Sequence, residues 1–288
     1  MKNHPIYNFL HTYYDFSVKE LTHFSPGINC LLEDVQEQDI TNDILHPKFL
    51  TQLQVESTEP EKSLSYYSLQ KLTEHSLESS AGSRYRRRHL EFNRDDLQNT
   101  LNKQPFFGCF GFHEWAMLYS GRRDPSQSKP HQKLKLRVPQ ETIDKLVETQ
   151  GVLKCTHYDA WRFFRFESRD WNSITPITRE QQPQYEQPAC IHANMDLFRY
   201  AAQIYPMIPS SLLLDALRVA IHARTIDIRA SPYDATAFTE CEQPICVETP
   251  EGRREYFLEQ EKLYQRAKEV RQQLFLYYQL ILSGDQAV

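Results

Sequence analysis

The sequence lacks the features that mark several protein classes. It has no apolar run of roughly 18 residues, so we expect no transmembrane helix and no membrane partner. Its first residues lack a continuous apolar stretch with a cleavage site, so we expect no signal peptide and a cytoplasmic protein. The 8 glycines against 16 prolines argue against a glycine-rich nucleotide-binding loop. None of the 6 cysteines forms a CxxC pair, which argues against a structural zinc knuckle.

The sequence also lacks an excess of positive charge, because the formal net charge is −5. This charge balance excludes a protein whose whole surface binds nucleic acid, but it is compatible with a local basic patch. The dense basic run is at 84–88, RYRRR. It predicts either a phosphate or nucleic-acid contact, or a solvated helix face paired with nearby acids. Those acids are Glu91, Asp95 and Asp96.

The length of 288 residues and the hydrophobic periodicity predict one mainly α (α+β) domain with a small β-sheet. A division into a loosely packed part, 1–83, and a core, 84–288, is the alternative. Short helices are predicted at 84–91 and 93–102, and another at 139–150. Strands are predicted at 134–138 and 152–156. A helix is predicted at 210–229, and a long C-terminal helix from Pro250 to near Gly284.

Two segments combine histidine with carboxylates. In FFGCFGFHEWAM, two glycines precede His113, which we expect at a helix start, where it can act as a ligand or acid–base group oriented by Glu114. In CTHYDAWRFF, His157 and Asp159 share one face if the backbone is extended, and this spacing supplies two ligands of a two-histidine, one-carboxylate site. Arg162 among aromatics indicates a half-buried cation that needs an anion or an aromatic ring.

Two further segments lie downstream. QPACIHANMD offers Cys190 and His192 as a nucleophile pair if that backbone is extended, with Asn194 capping the helix that carries Asp196. In DIRASPYD, Asp227 continues the apolar stripe of its helix, so it is expected to be buried and to need a partner. Asp227 is therefore the best single candidate for a general base or metal ligand.

Taken in order, these segments carry a resemblance. GCFGFHEWAM, HYDAWRFF, QPACIHANMDLF and DIRASPYD, followed by VETPEGRREY, resemble a bacterial family commonly labelled 3-methyladenine DNA glycosylase, and FLHTYYDFSVKELTHFSPG near the start fits as well. The resemblance runs from about Pro5 to Leu276. It implies removal of a modified base from damaged DNA or a nucleoside, with an aromatic pocket for the base and a carboxylate for the cationic sugar.

Three functions are therefore predicted as alternatives. The first is an N-glycosylase, in which Asp227 or Asp196 stabilises the oxocarbenium ion. The second is a metal-dependent enzyme, binding iron or zinc and acting on a small molecule. The third is a non-catalytic module that binds an anion or nucleotide. The candidate catalytic residues are Asp227, Asp196, His192 and His157. The candidate substrate-binding residues are Trp115, Trp161, Arg162, Arg179, Asn194, Arg229 and Tyr233. The candidate metal ligands are His113, His157, Asp159 and His192.

Overall fold

The structure is a computed structural model. It describes residues 4–16, 21–28, 31–32, 54–55, 65–66, 82–121, 133–150, 153–174 and 177–283. Most of the predicted N-terminal part, 1–83, lies outside these residues, and so does position 152 of the second predicted strand. The side chains of the basic run are described only for Arg87 and Arg88.

The described chain is mainly helical, as predicted. Three two-residue strands, β1 (Leu31–Leu32), β2 (Gln54–Val55) and β3 (Ser65–Tyr66), form an antiparallel sheet in the order β1-β3-β2, in which Leu31 pairs with Tyr66 and Val55 with Ser65. A 3-10 turn covers Thr239–Cys241. The α-helices are α1 (Tyr7–Tyr14), α2 (Gly82–Asn102), α3 (Phe112–Leu118), α4 (Gln140–Gln150), α5 (Tyr158–Trp161), α6 (Phe166–Arg169), α7 (Gln182–Tyr185), α8 (Ile191–Ile204), α9 (Ser210–Ala230) and α10 (Pro250–Ser283).

Helices α8, α9 and α10 form the centre of the core. Helix α9 packs against both α8 and α10, and α2 packs against α10. Along α9, Ala216, Ala220 and Ala223 are buried at steps of three and four residues, so small side chains let the neighbouring helices approach closely. Each larger apolar side chain buried here, such as Leu213, stabilises the fold by about 1.5–3 kcal/mol.

The start of α10 follows its capping signals. The backbone N–H of Gly252 donates to Thr249 Oγ1 over 3.0 Å, so Thr249 satisfies one of the free donors of the first turn. Pro250 occupies the first helical position, where no N–H is needed. The prediction of a long C-terminal helix from Pro250 is therefore confirmed, with Tyr278 rather than Tyr277 on its buried side.

Several predicted elements differ from the observed ones. The segment at 134–138 and the described residues 153–156 of the second segment are not strands, because Leu136 and Leu153 make single isolated bridges to Tyr233 and Asn172. The two predicted helices at 84–91 and 93–102 are one helix, α2. Asn93 is inside it rather than a cap, and its side-chain amide donates to the Tyr278 hydroxyl over 3.0 Å. Among the described residues, no helix is both long and apolar enough to cross a membrane.

Asp96 of α2 is a buried carboxyl group whose ionisation should cost stability. It is 3% exposed, and one of its oxygens accepts a 2.8 Å hydrogen bond from the Tyr200 hydroxyl. Burial, with a smaller effect from Glu186, raises the pKa of Asp96 from 3.8 to about 7. The folded state therefore binds more protons than the unfolded state between these two values. Its stability is greatest below the lower value and falls as the pH rises towards 7.

We therefore expect Asp96→Asn to raise the free energy of unfolding more at pH 8 than at pH 5, by about 2.5 kcal/mol, because asparagine never ionises. Urea unfolding at both pH values measures the difference. The control is Asp95→Asn, since the neighbouring Asp95 side chain is 49% exposed and pairs with Arg94. Equal effects of Asp96→Asn at the two pH values would show that the carboxyl group does not titrate in this range.

Candidate metal centre

Three helices bring His113, His192 and Asp227 together. His113 is the second residue of α3, which begins directly after Gly111. Gly111 has a φ of +69°, a positive value that glycine adopts without strain because it has no Cβ atom. His192 is in the first turn of α8, and Asp227 is in the last turns of α9. One ligand atom from each of the three side chains lies within 4.8 Å of the other two.

Two atoms of this group are in direct contact. His113 Nε2 lies 2.8 Å from Asp227 Oδ1, which is an ion-pair distance, although the angles between the two groups are poor for a hydrogen bond. Two ligand atoms, each about 2.1 Å from an ion, lie about 3.0 Å apart at right angles and about 3.4 Å apart at the tetrahedral angle. The observed separation is shorter than both values, so these two atoms would have to move slightly apart to take an ion between them.

Asp227 is held as a carboxylate by its neighbours. Burial alone would raise the pKa of Asp227, but His113 and the Arg224 guanidinium outweigh burial and hold this pKa well below its ordinary value. Arg224 Nη1 contacts Asp227 Oδ2 and also donates to Glu114 Oε1 over 3.1 Å. Arg224 thus occupies one oxygen of Asp227 and leaves Oδ1 facing His113. Glu114, predicted to orient His113, bonds Arg224 instead.

His192 lies between two other histidine rings. Its ring centroid is 4.5 Å from that of His113, nearly perpendicular to it, and 5.1 Å from that of His157, nearly parallel to it. Burial lowers the pKa of His192 well below its ordinary value, and His113 and His157 lower it further. A neutral imidazole keeps a lone pair, which is the form that binds a metal ion.

His157 belongs to a separate, fully buried group. Its Nδ1 contacts Glu186 Oε2, and the other oxygen of Glu186 accepts a 3.0 Å hydrogen bond from Thr156. Burial alone would lower the pKa of His157, but Glu186 outweighs it and the pKa is raised. His157 Nε2 lies 3.7 Å from Asp196 Oδ2. Cys190 is close to this pair. Burial raises the pKa of the Cys190 thiol well above the ordinary value, which disfavours the thiolate form that a nucleophile needs.

An extended backbone was predicted for two pairs, His157 with Asp159 and Cys190 with His192. In each pair the second residue is in a helix instead. His157 is extended but directly precedes α5, and Asp159 is inside that helix, so the two do not share a strand face. Cys190 directly precedes α8 and His192 is inside it. Asn194 is also inside α8 rather than at its cap, and it accepts a 2.5 Å hydrogen bond from Arg271.

Asp159 pairs with three arginines and is not in either group of candidate metal ligands. Arg162 Nε lies 3.0 Å, Arg179 Nη2 2.5 Å and Arg199 Nη1 3.5 Å from its carboxylate oxygens. Burial would raise the pKa of Asp159, but the hydrogen bond from Arg179 and the nearby positive charges lower it. Arg199 also pairs with Asp196, which in addition accepts a 3.3 Å hydrogen bond from the Tyr14 hydroxyl.

A cavity of about 860 Å³ lies beside this site. His192, Glu114 and Arg224 line it together with Asp159 and Arg162. Aromatic side chains contribute to the same walls, namely Phe9, Tyr13, Phe163 and Phe238. His192 also lines a much smaller cavity of about 20 Å³ on the side of His113. The candidate centre is thus in contact with a space large enough for a small molecule.

The remaining predicted substrate-binding residues are elsewhere. Trp115 is buried and donates from Nε1 to the Ala230 carbonyl over 3.0 Å, and Trp161 is buried beneath the Arg169 guanidinium. Arg229 pairs with Glu255 at 2.7 Å. These three, with Asn194 and Tyr233, are not among the residues that line the 860 Å³ cavity.

Arg199, Arg224 and Glu186 are charged residues at the site that the motifs did not single out. Arg224 precedes Asp227 by three residues on the same helix, and this spacing places the two side chains on one face. No protein-family model, curated protein or solved structure matches the chain.

Proposed function

We propose that the protein is a metal-dependent enzyme acting on a small molecule, with a divalent ion held by His113, His192 and Asp227. The observation that supports this most is the convergence of three side chains from three helices, because one ligand atom each of His113, His192 and Asp227 lies within 4.8 Å of the other two.

The arrangement favours a catalytic over a structural ion. Two histidines and one carboxylate leave coordination positions for water or substrate, whereas structural ions have closed protein shells. One of the ligands, His192, lines the 860 Å³ cavity, so an open position has space next to it. Whether it is iron or zinc, the ion would supply a Lewis acid next to bound substrate.

The neighbours of the ligands also suit this role. Arg224 fixes the second oxygen of Asp227, and the stacked His157 ring packs on His192, so both ligands are held in place before an ion arrives. Such outer contacts typically change metal affinity by about 10–100-fold when they are removed.

Metal analysis of the untagged, full-length protein tests the proposal. After growth with added iron and zinc, we expect about one equivalent of a divalent ion, and at least a 100-fold loss of affinity in His192→Ala. The matched control is His222→Ala, because His222 is also on the central helices but lies 3.6 Å from Glu259, away from the three ligands. Metal far below one equivalent in supplemented wild-type protein would contradict the proposal.

The N-glycosylase function implied by the resemblance is the second proposal. It is favoured by the aromatic side chains of the cavity, Phe9, Tyr13 and Phe163, which could stack a base beside His192 and Arg224, the neighbours of the ionised Asp227. Release of free base from alkylated DNA or modified nucleosides, absent in Asp227→Asn, would support it. A glycosylase of this kind needs no ion, so activity that survives chelation would distinguish it from the first proposal.

A further inference from the structure

Arg162, on the wall of the cavity, has a guanidinium group whose orientation is fixed from two sides. Its Nε lies 3.0 Å from Asp159 Oδ1, and the guanidinium carbon lies 4.4 Å from the centre of the Phe163 ring. The carboxylate sets the direction of the group, and stacking on the ring sets its plane. Arg162 is therefore oriented before any ligand binds.

The guanidinium has capacity for a further partner. Within the part of the chain that the structure describes, Asp159 is the one acidic side chain paired with the Arg162 guanidinium, and the Arg162 side chain is 42% exposed. Two parallel N–H groups on one guanidinium edge match the two oxygens of a carboxylate or phosphate group. Since Arg162 lines the same cavity as His192, such a group would share the cavity with the candidate ion.

The local charge also favours an anion. Arg162, Arg179 and Arg199 all contact Asp159, and Arg199 also pairs with Asp196. Three guanidinium groups therefore face two carboxylates, so this cluster carries one net positive charge, and Asp159 and Arg162 present it to the cavity. A bound divalent ion would add to this potential, and a negatively charged substrate would be attracted to both ends of the cavity.

We propose that Arg162 binds an oxyanion group of the substrate, a carboxylate or a phosphate, while the reacting part of the same molecule meets the ion at His113, His192 and Asp227. The substrate class is thus a small anionic molecule that fits within about 860 Å³. The role of the ion rests on the proposed function, but the anion subsite at Arg162 does not.

The subsite can be tested by calorimetric titration of inorganic phosphate and of succinate into the full-length protein. Both a chelator-treated form and a form loaded with Zn²⁺, as a redox-inert substitute, are used. We expect wild-type protein to bind one of the two anions in both forms. In Arg162→Gln, loss of the charge-assisted pair should weaken binding by roughly 10–100-fold. Arg162→Lys should lose most of this affinity too, because lysine keeps the charge but not the two-pronged edge.

The matched control is Arg218→Gln, since Arg218 is a 60% exposed arginine that pairs with Asp215 on α9. Preference for phosphate or for succinate assigns the oxyanion. Binding in the chelator-treated form that depends on Arg162 and survives in His192→Ala supports the subsite even if no ion binds. The proposal is overturned if neither anion binds, if binding requires Zn²⁺, or if Arg218→Gln weakens it as much as Arg162→Gln. Circular dichroism confirms that each variant is folded.

Discussion

Arg224→Met should lower the free energy of unfolding by about 3–5 kcal/mol, because it removes one partner of a buried ionic network. Arg224 is 1% exposed, and its Nη1 contacts both Asp227 and Glu114, which are themselves buried. Methionine preserves much of the apolar volume but leaves two carboxylates without their shared cation. Urea unfolding of metal-free protein measures the loss.

Two comparisons separate charge from packing at this position. Arg218→Met, on the exposed side of the same helix, should change stability by less than about 0.5 kcal/mol. Saturating metal should reduce the penalty of Arg224→Met, since an ion at Asp227 replaces part of the lost positive charge. A loss below about 1 kcal/mol in the metal-free protein would show that the two carboxylates do not depend on Arg224.

The second large effect is expected at Gly252, in the first turn of α10. A Cβ atom at this position would lie 2.0 Å from the carbonyl oxygen of Cys246 and 2.3 Å from its carbonyl carbon. These are backbone atoms, so the contact can be relieved only by moving the segment before the helix. We expect Gly252→Ala to destabilise the protein by about 3 kcal/mol or more, measured by thermal and urea unfolding.

Glu251→Ala is the control for this substitution, because Glu251 is the exposed neighbour of Gly252 in the same turn. Removing its charge near the helix N-terminus should cost at most about 1 kcal/mol. Alanine normally stabilises a helix interior by up to about 1 kcal/mol relative to glycine. A neutral or stabilising Gly252→Ala would therefore show that the backbone at Cys246 yields easily.

The elements that local rules specify were predictable from the sequence. Helix α9 has apolar residues at steps of three and four, and α10 has Thr249 and Pro250 at its start, so both predictions agree with the structure. The alternating residues at 134–138 also satisfied a local rule, but a strand needs a partner. Leu136 finds only an isolated bridge, to Tyr233, so tertiary context decided against a strand there.

The sequence predicted the individual residues of the site better than it predicted which of them meet in space. His113, His192 and Asp227 were all candidates, because ionisable groups interrupted apolar patterns. Their combination depends on how α3, α8 and α9 pack, which spacing along the chain does not encode. The His157-x-Asp159 spacing pointed to a pair on one face, but the backbone becomes helical after His157 and directs the two side chains to different partners.

Because the three proposed ligands are on helices far apart in the chain, no short segment holds the complete site. His113 is synthesised before α8 and α9, whereas Asp227 is synthesised only after α8 and most of α9. On the ribosome, a nascent chain that ends before Asp227 would lack the carboxylate. We therefore expect the ion to enter late in maturation, after the three helices dock, and to prolong the lifetime of molecules that have already reached the native packing.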